Sequence, residues 1–200
     1  MMGPMNMLIT RRNLLLSLAA LGITANAAHA ATLPEKHPAM AFVRKATEEL
    51  FNAHKQGTVQ AFLPAIKGNA DIAYIGDYSL GQYEPKLPKN LRDSYYDGVA
   101  LFMARYFADQ TRTYRVAKWD VGQGVEGENG NFIINSRVTL LTGTAYDVSW
   151  TVAPRGKGFK FIDAQVMIFS LTFAQRGLFV SYLQKHDGDV EKLVTVLNRK

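Results

Sequence analysis

The hydrophobic period of this chain changes twice, and those two changes limit the folds open to it. From Ala39, apolar side chains recur every three or four residues: Met40, Phe42, Val43, Ala46, Leu50 and Phe51. That is the spacing of an amphipathic helix, and it ends before Gly57. Thr58 caps a second helix with Val59, Phe62, Leu63 and Ile66, and Asp71 caps a third with Ile72, Ile75, Tyr78 and Leu80. After Pro85 and Pro88, residues 89–112 form the longest helical pattern, through Leu91, Tyr95, Val99, Phe102, Met103, Tyr106 and Phe107. Beyond Thr113 the period falls to two. Ala117, Trp119 and Val121 alternate with Val116, Lys118 and Asp120, then Ile134, Val138 and Leu140 with Asn135, Arg137 and Thr139, then Tyr146, Val148, Trp150 and Val152 with Asp147, Ser149 and Thr151. A fourth extended run spans Phe159 to about Ile168. Helical spacing returns at Leu171, and a last helix covers Val190 to Leu197. Four strands in succession, with no helix between them, exclude parallel crossovers. The predicted class is α+β: a helical N-terminal half, a four-stranded antiparallel curved sheet of cone-like form, and C-terminal helices enclosing an apolar cavity.

The first thirty residues follow different rules. Arg11 and Arg12 precede an apolar run from Leu14 to Ile23, and Ala28-His29-Ala30 has the small-x-small form of a signal-peptidase site. The run is about ten residues, against the ~20 needed to span hydrocarbon. Residues 1–30 therefore read as a cleaved signal peptide, and 31–200 as a single domain. Thr10-Arg11-Arg12-Asn13-Leu14-Leu15 resembles a twin-arginine signal without its usual Phe and Lys, so export by either the twin-arginine or the Sec route is expected, with the periplasm as destination.

Cleavage changes the charge. Two of the 23 Lys and Arg leave and none of the 17 acids does, so +6 becomes +4, spread along the chain. Nucleic acid is not an expected partner. Without cysteine there is no disulfide, thiolate metal site or thiol nucleophile. His37, His54 and His186 are too far apart in the pattern for a metal cluster, so no metal or cofactor is expected. Asp163 is the best isolated acid but lacks an evident catalytic partner, which argues against an enzyme. What the chain has in surplus is aromatic and aliphatic surface, with eleven Phe, nine Tyr and two Trp. Periodicity alone does not separate a filled core from a lined pocket.

Several segments carry a family resemblance. Ile75-Gly-Asp-Tyr-Ser-Leu-Gly81-Gln-Tyr83 resembles the "Leu-Gly-x-Tyr/Trp" helix of the toluene-tolerance, MlaC-like periplasmic lipid carriers. Pro88 to Tyr106 looks like that family's next helix. Phe159-Lys-Phe161-Ile-Asp163 resembles "Trp-Lys-Ile-x-Asp-Val", and Phe169-Ser170-Leu171-Thr-Phe-Ala-Gln-Arg176-Gly-Leu-Phe179 is similar to "Val-Ser-Leu-Val-x-x-Tyr-Arg-x-x-Phe". Gly188-Asp189-Val-Glu-Lys-Leu193 resembles "Gly-x-Asp-x-Leu-Ile". The chain departs from the pattern at Gln175, where Tyr is favoured, and at Ile168-Phe169-Ser170, which replaces a "Gly-Val-Ser" turn.

The resemblance implies a carrier that holds lipid tails in a hydrophobic pocket and shuttles between inner and outer membranes. The ligand would be a phospholipid or, in the family's hopanoid-associated branch, a polycyclic lipid. Implied partners are an inner-membrane ABC transporter with a mammalian-cell-entry-domain protein, and an outer-membrane lipoprotein complex. Taken with the inward faces above, the expected lining is Val99, Met103, Phe107, Val138, Leu140, Val148, Trp150, Phe161, Val166, Leu171 and Phe179. Tyr106 and Arg176 are expected at the mouth. Two other classes stay open at this point: a protein-binding envelope module, and a small hydrolase or isomerase on the same scaffold.

Overall fold

The structure, a computed structural model, describes residues 31–199. The expected leader lies outside them. Helices α1 (Pro38–Gln56), α2 (Val59–Asn69), α3 (Ile72–Leu80) and α4 (Arg92–Gln110) come first, with short 3-10 turns at Gly81–Lys86 and Lys89–Leu91. Strands β1 (Val116–Glu126), β2 (Phe132–Leu140), β3 (Ala145–Arg155), β4 (Gly158–Val166) and β5 (Phe169–Ser170) follow, then α5 (Leu171–Gln184) and α6 (Val190–Leu197). The caps act as their residue types require. Thr58, Asp71, Ser170 and Asp189 each accept a backbone N–H in the first turn of α2, α3, α5 and α6.

The sheet is an antiparallel meander in the order β1-β2-β3-β4-β5. It has five strands where the sequence predicts four. After Val166 the chain doubles back through Met167 and Ile168 and pairs Val166 with Phe169. A two-residue strand is too short to leave an alternation in the sequence, so the extended run reads as one strand ending near Ile168. Three bulges curve the sheet, two in β1, between Val116 and Lys118 and between Val121 and Gly124, and one in β4 opposite Thr151 and Val152. The last adds Ile162 to β4. That extra residue reverses the phase, so Phe161 below it and Ala164 and Val166 above it share one face.

Two cores form. The larger lies between the concave face of the sheet and α1, α2 and the C-terminal half of α4, around Val43, Leu50, Phe62, Ile134, Trp150 and Phe161. The smaller joins α3, the N-terminal half of α4, α5 and α6, around Leu80, Tyr95, Val99, Phe179 and Leu193. Helix α4 serves both, which explains why its apolar residues surround it instead of forming a stripe. Tyr95 is fully buried, and its hydroxyl donates to the carbonyl of Gly76 at 2.7 Å, fixing α3 against α4.

Helix α6 packs directly on Gly98, where an added Cβ would stand 2.7 Å from Leu197 Cβ and 2.8 Å from Asn198 Nδ2. Gly177, mid-way along α5, has nothing within 4 Å of the same atom. The same substitution should therefore act in opposite directions. Gly177→Ala should stabilise by about 0.5–1 kcal/mol through helix propensity. Gly98→Ala should destabilise by about 1–2 kcal/mol, because the clash outweighs that gain. Urea unfolding midpoints check both.

Candidate functional site

Helix α4 does not close down on the sheet. The half of it beyond Ala100 is small on one side, with Ala104 and Ala108 buried against α1 and α2. Met103, Tyr106, Phe107 and Gln110 point instead toward the strands. Between them and the sheet lie two apolar spaces. The larger, of about 450 Å³, is walled by Phe107, Trp119, Val138, Leu140, Val148 and Val166, among others. The smaller, of about 110 Å³, is bounded by Ile66, Phe102, Met103, Phe161, Leu171 and Leu178, among others. Leu50, Tyr106, Phe107, Trp150 and Leu171 line both, so one set of side chains is all that divides them.

The partition is pinned at one point by a hydrogen bond and packed elsewhere by rings. Trp150 is buried, and its indole N–H donates to Ser136 Oγ at 2.9 Å. Its ring stacks on Trp119 at 5.8 Å and lies 4.6 Å from Phe161, which meets Phe42 at 5.0 Å. Aromatic pairs at these separations add about 0.5–1.5 kcal/mol each beyond area burial. Phe107, on the helix side, stacks on Phe62 at 5.8 Å and takes the edge of Tyr106 at 5.9 Å. Tyr106 is exposed and touches both spaces, which puts it at an opening.

Of the expected lining residues, Met103, Phe107, Val138, Leu140, Val148, Trp150, Phe161, Val166 and Leu171 stand on the walls of these spaces, with Tyr106. Val99 and Phe179 do not. They are closed in the smaller core, where Phe179 takes Phe102 edge-on at 5.1 Å. Arg176 also lies outside both spaces. It donates to the Tyr78 carbonyl at 2.9 Å, covers the Tyr78 ring at 4.9 Å and packs over Gly81, so it staples α5 to the end of α3. Asp163 accepts the N–H of Thr172 at 3.0 Å and so holds the start of α5.

Leu50, Phe62, Trp119 and Tyr146, outside the expected set, also line the walls. Tyr146 sits in the same alternation as Val148 and Trp150, and Trp119 in that of β1, so both carried a signal. The indole N–H of Trp119 is buried with no acceptor. Among the described residues no group of His, Asp and Glu could hold a metal ion.

A family model, the MlaC protein, matches residues 40–199. The chain belongs to the MlaC family. Among solved structures, this MlaC-family chain is similar to the phospholipid-binding protein from Ralstonia solanacearum, determined in complex with a phospholipid, with a TM-score of 0.67. The two share 17% identity over 81% of this chain and 96% of the other, so the likeness is one of fold. No curated protein matches.

One imidazole borders the larger space of this MlaC-family fold. His54 is half-buried on its wall, and its Nε2 accepts the N–H of Val116 at 3.1 Å, tying α1 to β1. That bond requires neutral imidazole at Nε2. Burial lowers its pKa from the ordinary 6.5. The unfolded imidazole takes up its proton near 6.5 while the folded one resists. Stability from this site is therefore complete above that pH and falls as pH drops through the depressed folded value. Unfolding free energy measured from pH 7.5 to 5 should decline. The slope should flatten in His54→Gln, whose amide oxygen can accept the same N–H without titrating.

Proposed function

We propose that this protein is a periplasmic lipid carrier that holds the acyl chains of a phospholipid in the space between α4 and the sheet. The observation that carries the reading is the paired apolar cavity, divided only by side chains and lined with hydrocarbon and aromatic rings. It is supported by membership of the MlaC family and by a fold neighbour solved with a phospholipid. Two adjoining compartments suit two flexible tails better than the single rigid body of a hopanoid. Asp163 and His54, the acid and the imidazole nearest these spaces, are each occupied by a backbone N–H, which favours binding over catalysis.

The energetics bear on how such a carrier works. A diacyl lipid with ~30 tail methylenes gains ~24 kcal/mol by leaving water at ~0.8 kcal/mol each. That exceeds the practical ceiling of about 18–21 kcal/mol for noncovalent binding. Tail ordering and cavity opening offset part of it, but free release into water would still be very slow. Delivery therefore calls for docking at each membrane. An inner-membrane ABC transporter with its mammalian-cell-entry-domain protein and an outer-membrane lipoprotein complex are the proposed stations, reached after export through the leader at 1–30. The +4 charge of the exported chain would favour approach to anionic head groups within ~8 Å at physiological salt.

Native mass spectrometry of the purified protein tests the reading. It should carry one phospholipid per chain, and a ligand-free protein that cannot be loaded from vesicles would overturn it. A bound polycyclic lipid would keep the carrier and replace the ligand. Val148→Trp and Val166→Trp should each fill the larger space, blocking uptake while the circular dichroism spectrum stays that of the folded chain. Normal uptake in both would place the tails elsewhere.

A further inference from the structure

The turn that joins β4 to β5 consists of two residues, Met167 and Ile168, between the paired Val166 and Phe169. Two-residue hairpin turns are ordinarily built from Gly, Asn or Asp. Here three bulky apolar side chains in a row face water: Met167 is 61%, Ile168 77% and Phe169 67% exposed. Met167 also holds a φ of 56°, a left-handed backbone that disfavours any residue with a Cβ. Ile168 lines neither cavity and joins neither core. Nothing in the folding of the chain explains its presence at the tip.

The surroundings of the tip give it a direction. Met167 and Phe169 line the larger cavity, so the turn stands at its edge. The N–H of Met167 donates to the Asp147 carbonyl at 3.1 Å, beside the start of β3. There Tyr146 meets Tyr114 edge-on at 6.4 Å, and the N–H of Leu141 donates to the Arg115 carbonyl at 2.8 Å. One end of the sheet thus gathers the tip, the exposed Leu141 and Tyr114, and the exposed cations Arg112 and Arg115. Asp147 is taken by Arg137 at 2.8 Å, and Asp109 on the last turn of α4 is outnumbered by the two arginines.

We propose that Met167-Ile168-Phe169 is a wedge that enters the head-group region of an anionic phospholipid bilayer and brings the cavity edge down to the membrane surface. The proposal rests on the carrier reading. The shape favours a bilayer over a protein. A stable protein interface needs about 800 Å² of complementary surface on each side. A two-residue turn is a point, and hydrocarbon surrounds a point without a matching pocket. The chemistry is layered in the same sense: apolar tip, tyrosine at the level of the head groups, arginine toward anionic lipid. A tail drawn from the bilayer at Phe169 would pass along Met167 and Leu171 into the larger space without crossing water.

The chain has no cysteine, so Ile168→Cys carrying an environment-sensitive fluorophore reports the tip alone. Vesicles of phosphatidylglycerol and phosphatidylcholine should shift its emission to the blue, and a nitroxide on the upper acyl chain should quench it. Added salt, or Arg112→Gln with Arg115→Gln, should weaken both effects. In the unlabelled chain, Ile168→Asp should lower vesicle association about tenfold or more, while native mass spectrometry finds the same bound lipid. Met167→Gly, whose backbone suits the turn, should weaken association with no loss of thermal stability, which separates the wedge from a folding defect. A labelled tip that ignores vesicles while the protein still takes up lipid overturns the wedge and leaves the carrier standing. A tip that responds to a protein partner and not to lipid overturns it equally. A protein that takes up no lipid at all overturns the carrier reading and the wedge with it.

Discussion

The buried indole of Trp150 is the fixed point of this molecule. Its N–H is committed to Ser136 on the neighbouring strand, so the ring cannot swing without leaving a buried donor unpaired. Such a loss costs about 1–3 kcal/mol. Around it Trp119, Phe161 and Phe42 form a continuous aromatic run across the concave face. That run gives the sheet a stiff floor. The space above it stays open because the facing helix spends its small residues elsewhere. Ala104 and Ala108 let α4 approach α1 and α2, which leaves Phe107, Tyr106 and Met103 as the roof.

Helix α4 is therefore pulled in two directions. Its first half is locked by the Tyr95 hydroxyl on Gly76 and by α6 seated on Gly98. Its second half looks over the cavity. That half is held on its other side by Ala104 and Ala108 against α1 and α2 and by Phe107 stacked on Phe62. Trp150 and Phe161 serve both the larger core and the cavity wall, while Val99 and Phe179 in the smaller core line neither space.

Most of the architecture was legible because period is a local property. The meander, the leading helices and α6 follow from spacing alone. The cavity walls contributed by β2 and β3 follow from the same alternation. Four things did not. The bulge at Ile162 sets Phe161 and Val166 on one face, although strict alternation over five residues would oppose them. The short β5 left no pattern to read. Val99 and Met103 share one helix, yet one is shut in the smaller core and the other meets a cavity. Spacing says that both point inward, but not into which interior. Phe179 likewise lies in the smaller core. Arg176, expected at the mouth, is instead held by a carbonyl and a ring on α3, a long-range contact to which local sequence is blind.

The central claim is that acyl chains lie against the aromatic floor. The chain has only two tryptophans, Trp119 and Trp150, and both stand on the wall of the larger space. The most direct measurement is the intrinsic fluorescence of protein loaded with phospholipid brominated along its tails. Strong quenching, relative to the same protein loaded with the unbrominated lipid, is the predicted result. Stoichiometric loading with unchanged fluorescence would contradict it.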